Sequence, residues 1–253
     1  GLTPALVEDM YHIMAIANYE DRFVIPTAHR ELGVDAYDMR GSCGFTFGQG
    51  KRTHIYNTFD AHRLLHWAAA EPDRTFIAQR VRLPDGSTGD WRRVSYAQAL
   101  QAARAIGQAL VARGLSADRP VAILSDNDIE HALLGLGCVY AGVPYCPVSP
   151  AYSTISQDFD KLRHVLETLT PGLVFAADGS RYARAISACV SADTEVVLTR
   201  GAVEGREVTP FDALLATAPG AEVEAAMQAT GPDTITKFLF TSGSTKLPKA
   251  VIN

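Results

Sequence analysis

The chain has 253 residues, 47% of them hydrophobic and 20% charged, and its formal net charge is −5. This composition is typical of a globular protein, and the mildly acidic balance argues against nucleic-acid binding and against a polybasic membrane anchor. No run approaches the roughly 18 apolar residues of a membrane span. The cysteines lie far apart without CxxC spacing, which argues against zinc and iron–sulfur sites and favours a reduced, cytoplasmic protein. They are Cys43, Cys138, Cys146 and Cys189.

Residues 1–50 are predicted to form helices and loops. Thr3 is a suitable N-cap with Pro4 at the first helical position, and apolar residues then recur at spacings of three and four. The stretch "GSCGFTFGQG" has no helical period and is interpreted as a loop. Because strand candidates are few, this segment is not expected to form an independent core.

From about Leu64 onward, short apolar strands alternate with helices. This alternation predicts an α/β fold whose mostly parallel sheet carries helices on both faces. Ligands of such sheets bind beyond the carboxyl ends of the strands. The predicted order is helix "RLLHWAAA", strands "RTFIAQRV" and "GDWRRVSY", helix 96–113 between Ser95 and Gly114, strand "RPVAILSD", helix "IEHALLGLGCVYAG", strand "VPYCPVSP", helix "SQDFDKLRHVLETLTP", strand "GLVFAAD", helix "GSRYARAISACV", strand "TEVVLT", short helices "TPFDALLATAP" and "AEVEAAMQAT", and strand "TITKFLF".

The last strand runs into the loop "TSGSTKLPK", whose residues suit a polyphosphate. Successive backbone N–H groups around a glycine form a concave anion site, while the hydroxyls and one lysine add donors and charge. The loop is not a Walker A motif, because its lysine follows proline and no Ser or Thr comes next. The alternative is a solvated Ser/Thr turn. The predicted ATP phosphate-binding residues are Thr241, Ser242, Gly243, Ser244, Thr245 and Lys249.

The stretch "KFLFTSGSTKLPKAVIN" resembles the phosphate-binding signature of the adenylate-forming superfamily, [ST]SG[ST]TGxPKG. Upstream segments such as "RVSYAQALQAARAIGQAL" and "NDIEHALLGLGCVYAGVPYCPVSP" follow the same family order. The stretch from 149 to 179 is most similar to feruloyl-CoA synthetases and related aryl-CoA ligases. Lys246 and Ala250 depart from the usual glycines of the signature. The resemblance covers residues 64–253.

This resemblance implies an ATP-dependent acyl- or aryl-CoA ligase, with ATP, Mg²⁺, coenzyme A and a carboxylic acid as reactants or cofactors of the full-length enzyme. The family's magnesium-binding acid, ribose-binding aspartate and catalytic lysine lie downstream of the loop. We therefore expect an N-terminal fragment of the nucleotide-binding domain, truncated after the loop and inactive alone. No catalytic residue and no metal ligand is assigned within this chain.

Residues 1–50 resemble a different family. "MYHIMAIANYEDRFVIPTAHRE" and "GSCGFTFGQG" are similar to the C-terminal tail of the iron–sulfur (beta) subunit of respiratory nitrate reductase. The chain is therefore interpreted as composite, with a tail segment at 1–50, a junction at 51–63 and the ligase segment at 64–253. A gene fusion, a frame error and a chimera remain open. The alternative function is assembly or electron transfer in a redox complex, with a redox partner for residues 1–50.

Polar residues elsewhere have simpler explanations. Residues 125–128 could bind a ligand, but they immediately precede a predicted helix and are interpreted as capping residues. His131 is interpreted as a packed or surface histidine, and Ser149, Pro150 and Tyr152 as a proline-stiffened turn.

Overall fold

A computed structural model describes residues 59–83, 86–231, 233–241 and 247–253. All of them belong to one unit, Tyr56–Asn253. The segment predicted at residues 1–50 lies outside the described residues. Within the described ranges, no helix combines the length and the apolar character that crossing a membrane requires.

The centre of the unit is a five-stranded sheet in the order β4-β3-β5-β6-β7, with every pair parallel. The predicted mostly parallel α/β fold is thereby confirmed. Two antiparallel hairpins, β1-β2 and β8-β9, complete the strand content of the described residues. The strands are β1 (Thr75–Arg82), β2 (Thr88–Ser95), β3 (Val121–Ile123), β4 (Tyr145–Pro147), β5 (Leu173–Asp178), β6 (Glu195–Arg200), β7 (Thr209–Pro210), β8 (Phe238–Thr241) and β9 (Lys249–Ile252).

Local signals set the helix boundaries. The Ser95 hydroxyl accepts a hydrogen bond from the Gln98 amide, and the Gln98 side chain accepts one from the Ser95 amide, which is the capping box of α2. Gly142 ends α3 in the left-handed region at φ 66°. The helices are α1 (Phe59–Ala70), α2 (Tyr96–Ala112), α3 (Ile129–Ala141), α4 (Pro150–Thr154), α5 (Asp160–Leu169), α6 (Gly179–Cys189), α7 (Phe211–Leu215) and α8 (Ala221–Ala229).

Both faces of the parallel sheet are buried, which explains why its strands are continuously apolar. Along β3, Val121 and Ile123 belong to the cluster packed by α2, α3, α7 and α8, whereas Ala122 belongs to the cluster packed by α5 and α6. Successive side chains of a strand point to opposite faces, so each face takes alternate residues. The apolar side of α5 and the residue that precedes it are buried; these residues are Phe159, Leu162, Val165, Leu166 and Leu169.

Helices α2 and α3 approach closely through two glycines. A Cβ on Gly137 would lie 2.4 Å from Ile106 Cγ2, and one on Gly107 would lie 2.9 Å from a Val223 methyl carbon. Because interiors are close-packed, the neighbours of either added methyl group would have to shift.

The variant Gly137→Ala is expected to destabilise the protein by about 1–3 kcal/mol, because the added methyl overpacks the contact between α2 and α3. Urea unfolding measures the change. Gly231→Ala is the matched control, since a Cβ there has no neighbour within 4 Å. Equal unfolding midpoints for the two variants would contradict the close approach of α2 and α3.

Candidate functional site

The predicted phosphate-binding loop closes the hairpin between β8 and β9. Thr241 pairs with Lys249 in the antiparallel register, and the Thr241 hydroxyl donates to the Lys249 carbonyl at 3.4 Å. The structure therefore brings together Thr241 and Lys249, the first and last of the predicted site residues. Ser242, Gly243, Ser244 and Thr245 lie outside the described residues, so their part in the site stays a prediction.

The hairpin is attached to the outer edge of the parallel sheet, beside β4. The Tyr145 amide donates to the Thr236 carbonyl at 3.1 Å, and Tyr145 forms a parallel bridge with Lys237. The Lys237 ammonium lies 5.4 Å from the centre of the Tyr145 ring. Because β8 enters the sheet in the same direction as β4, the loop that follows Thr241 lies at the carboxyl edge, where ligands of such sheets bind.

Apolar packing and hydrogen bonds hold the two strands of the hairpin against the rest of the unit. Phe238 and Phe240 pack against the cluster between the sheet and α5 and α6. At the far end of β9, the Asn253 carbonyl accepts hydrogen bonds from the amides of Thr236 and Lys237 at 2.8 and 3.0 Å. Pro248, next to Lys249, is buried, and its carbonyl lies 2.9 Å from His164 Nε2. These contacts fix both strands while Thr241 and Lys249 remain exposed.

Elsewhere on the carboxyl edge, charged side chains pair with one another. Asp126, after β3, forms an ion pair with Arg181 in α6, which follows β5. Arg200 at the end of β6 contacts Asp178 at the end of β5, at 3.1 Å. The strand order reverses between β3 and β5, so this is the crevice where an open sheet usually binds its ligand. Here the protein's own Asp126–Arg181 ion pair spans that crevice.

Ser125 and Asp128 both act within the fold: Asp128 is the helix cap expected in this stretch, whereas Ser125 links two strands and caps no helix. The buried Ser125 hydroxyl accepts a hydrogen bond from the Ala177 amide and joins β3 to β5. The Asp128 carboxylate accepts one from the His131 amide at 2.7 Å and caps α3. Burial raises the pKa of Asp128 to about 6, with a further contribution from the Glu130 charge, and burial lowers the pKa of His131.

The pKa of Asp128 predicts a pH-dependent stability. Since the folded value lies above the usual 3.8, the folded protein holds an extra proton between about pH 4 and 6, and the free energy of unfolding falls as pH rises through that window. Asp128→Asn keeps the cap and removes the buried charge. The variant should therefore be more stable than the parent at pH 7.5 by roughly 1–2 kcal/mol, because solvent screens part of the charge of this partly buried carboxylate.

Urea unfolding at pH 4 and pH 7.5 measures this difference, which should nearly vanish at the lower pH. Asp118→Asn, in an exposed turn, is the control and should leave the free energy of unfolding unchanged at both pH values. A difference of equal size at both pH values would contradict the raised pKa of Asp128.

Sequence reasoning did not single out His164, Tyr145 or Lys237. His164 and Pro248 are separated by 84 positions, and no local pattern signals a contact over that distance. Within the described ranges, no three histidine, cysteine, aspartate or glutamate side chains converge as a metal site would require.

Comparisons with known proteins give one match over most of the chain and a shorter match to a different protein. A family model described as "AMP-binding enzyme" matches residues 64–252. The respiratory nitrate reductase 2 beta chain of Escherichia coli K12 is 54% identical over 66 residues, which are 25% of this chain and 13% of that protein. The family model therefore covers most of the chain, whereas the nitrate reductase match covers a quarter of it.

Two solved structures share the fold. A putative long-chain-fatty-acid CoA ligase from Rhodopseudomonas palustris has a TM-score of 0.56 and 20% identity, covering 79% of this chain and 44% of that one. A benzoate CoA ligase from Burkholderia xenovorans LB400 also has a TM-score of 0.56 and 20% identity, covering 78% and 34%. This chain thus spans less than half the length of either ligase.

Proposed function

Because this chain belongs to the AMP-binding enzyme family, we propose that it carries the nucleotide-phosphate site of an ATP-dependent acyl- or aryl-CoA ligase. The triphosphate of ATP binds the loop from Thr241 to Lys249, through the backbone amides and hydroxyls of residues 241–245 and the ammonium of Lys249. The observation that carries the proposal is the hairpin register, in which Thr241 and Lys249 stand opposite each other at the carboxyl edge.

In the proposed reaction, the carboxylate of the acid attacks the α-phosphorus of ATP and expels pyrophosphate. The acid–AMP anhydride then reacts with the thiol of coenzyme A, which displaces AMP. The loop acts in the first step, because amide and ammonium donors stabilise the negative charge that develops on the leaving pyrophosphate. Its contribution is electrostatic and positional, and Mg²⁺ enters with the nucleotide phosphates.

An aromatic acid of the feruloyl type is the proposed substrate of the full-length enzyme. The fold shared with a benzoate CoA ligase is compatible with an aromatic acid, although likeness at 20% identity extends only to the fold. We further propose that the 253-residue chain alone forms no acyl-CoA, because it spans less than half the length of either related ligase. Incubation with ferulate, ATP and coenzyme A tests this, and formation of feruloyl-CoA would overturn it.

The proposed organisation is a tail segment at residues 1–50, a junction at 51–63 and the ligase segment at 64–253, in a cytoplasmic protein. A second candidate function, a part in assembly of or electron transfer within a redox complex, is favoured by the 54% identity to the nitrate reductase beta chain. Its proposed partner is a molybdoenzyme subunit, which would then co-purify with the full chain but not with a variant lacking residues 1–50.

Removal of the Lys249 charge tests the phosphate site. Lys249→Ala should weaken ATP·Mg²⁺ binding roughly 10- to 100-fold, because a hydrogen bond to a charged group contributes about 1.5–3 kcal/mol. Isothermal titration calorimetry of the full chain measures the dissociation constant.

Lys161→Ala is the matched control, since Lys161 lies at the start of α5 with its ammonium over the Tyr152 ring. Its affinity for ATP should equal that of the parent chain. If Lys249→Ala binds ATP as tightly as the Lys161 control, the loop is not the phosphate site.

A further inference from the structure

A histidine from the parallel-sheet unit holds the hairpin next to the candidate lysine. His164 in α5 places Nε2 2.9 Å from the carbonyl oxygen of Pro248. A carbonyl can only accept, so Nε2 carries the proton and donates. Pro248 has no N–H of its own, which makes this carbonyl its only backbone hydrogen-bonding group. The contact therefore fixes the plane of the peptide that leads directly into Lys249.

Helix α5 is a rigid support for this contact. Its inner face is buried in the core, and the Arg163 guanidinium on its outer side donates to the Ala188 carbonyl at the end of α6, at 3.0 Å. The helix follows β4 and precedes the parallel strand β5, so its first turns lie at the carboxyl edge of the sheet. His164 stands one turn into the helix, half-buried, at the level where β9 begins.

The other attachments hold different parts of the hairpin. Phe238 and Phe240 anchor β8 by packing, and the Asn253 carbonyl joins the far end of β9 to the start of β8. Among the described residues, Lys249 pairs with Thr241 at the open end of the ladder, where strands separate most easily. The bond from His164 ties this end of β9 to the core.

We propose that His164 is a positioning residue for phosphate binding: its Nε2–H holds the Pro248 carbonyl, and through it the backbone of Lys249, against α5. This inference rests on the proposed function of the loop. His164 does not touch the nucleotide. It restricts the backbone conformations of Lys249 before binding, so less conformational entropy is lost when a phosphate binds.

Two variants of nearly equal length separate this role from simple packing. His164→Gln retains an N–H donor near the position of Nε2, whereas His164→Met fills similar space without a donor. In the full chain, His164→Met should weaken ATP·Mg²⁺ and inorganic pyrophosphate binding about tenfold, which corresponds to 1.4 kcal/mol. His164→Gln should stay within about twofold of the parent, and neither variant should shift the urea midpoint appreciably. His66→Met, at an exposed position in α1, controls for loss of a histidine.

Amide hydrogen exchange in nucleotide-free protein provides a readout that does not depend on phosphate binding. Exchange of the amides of β9 should accelerate in His164→Met and not in His164→Gln. Equal exchange and equal affinity in the two variants would overturn the positioning role. The positioning role would also be overturned if both His164→Met and His164→Gln lost affinity together with a lowered unfolding midpoint.

The Lys249→Ala background separates failure of this inference from failure of the proposed function. If His164 acts through Lys249, adding His164→Met to Lys249→Ala should cost little further affinity. A full tenfold loss in that background would overturn the inference and leave the phosphate site standing. Unchanged binding in Lys249→Ala alone would instead reject the phosphate site, and the exchange measurement would still decide whether His164 holds β9.

Discussion

The parallel alignment of β8 with β4 determines where this protein presents its candidate site. Tyr145 and Lys237 form a parallel bridge. Strand β8 therefore runs toward the carboxyl edge of the parallel sheet, as β3 and β4 do, and reaches that edge at Thr241. If β8 ran the other way, the glycine-containing loop would lie at the amino edge. The anion site at 241–249 thus depends on a strand direction that one bridge and two partly buried phenylalanines maintain.

The same edge shows why the loop, and not the crevice between β3 and β5, is the better ligand site. In that crevice Asp126 pairs with Arg181, and the Ser125 hydroxyl already accepts a hydrogen bond from the Ala177 amide. A phosphate would have to displace a carboxylate from Arg181 and would meet a second carboxylate at Asp178. At the loop, Lys249 is exposed, and the hydroxyl of Thr241 opposite it donates to the Lys249 carbonyl. Charge and exposure both favour the loop for an anion.

Much of the fold could be predicted because its signals are local. The Ser95 cap, the Gly142 terminus and the 3.6-residue period of α5 each act within one or two turns, and all three are found in the structure. The short elements α4, β7 and β9 were not predicted, because each depends on packing or pairing with distant residues. For the site, the motif identified the loop and its lysine but not His164, whose contact with Pro248 arises only after the sheet has assembled.

The backbone amides of the loop provide the most direct test of phosphate binding by the hairpin. In the ¹⁵N-labelled 253-residue chain, titration with inorganic pyrophosphate should shift the amide resonances of residues 242–245 together, and the resonance of Gly243 most. The amide of Arg181 in the ion-paired crevice should not move. Shifts confined to the crevice, or unchanged loop resonances at saturating pyrophosphate, would contradict the claim that this hairpin binds the phosphates of ATP.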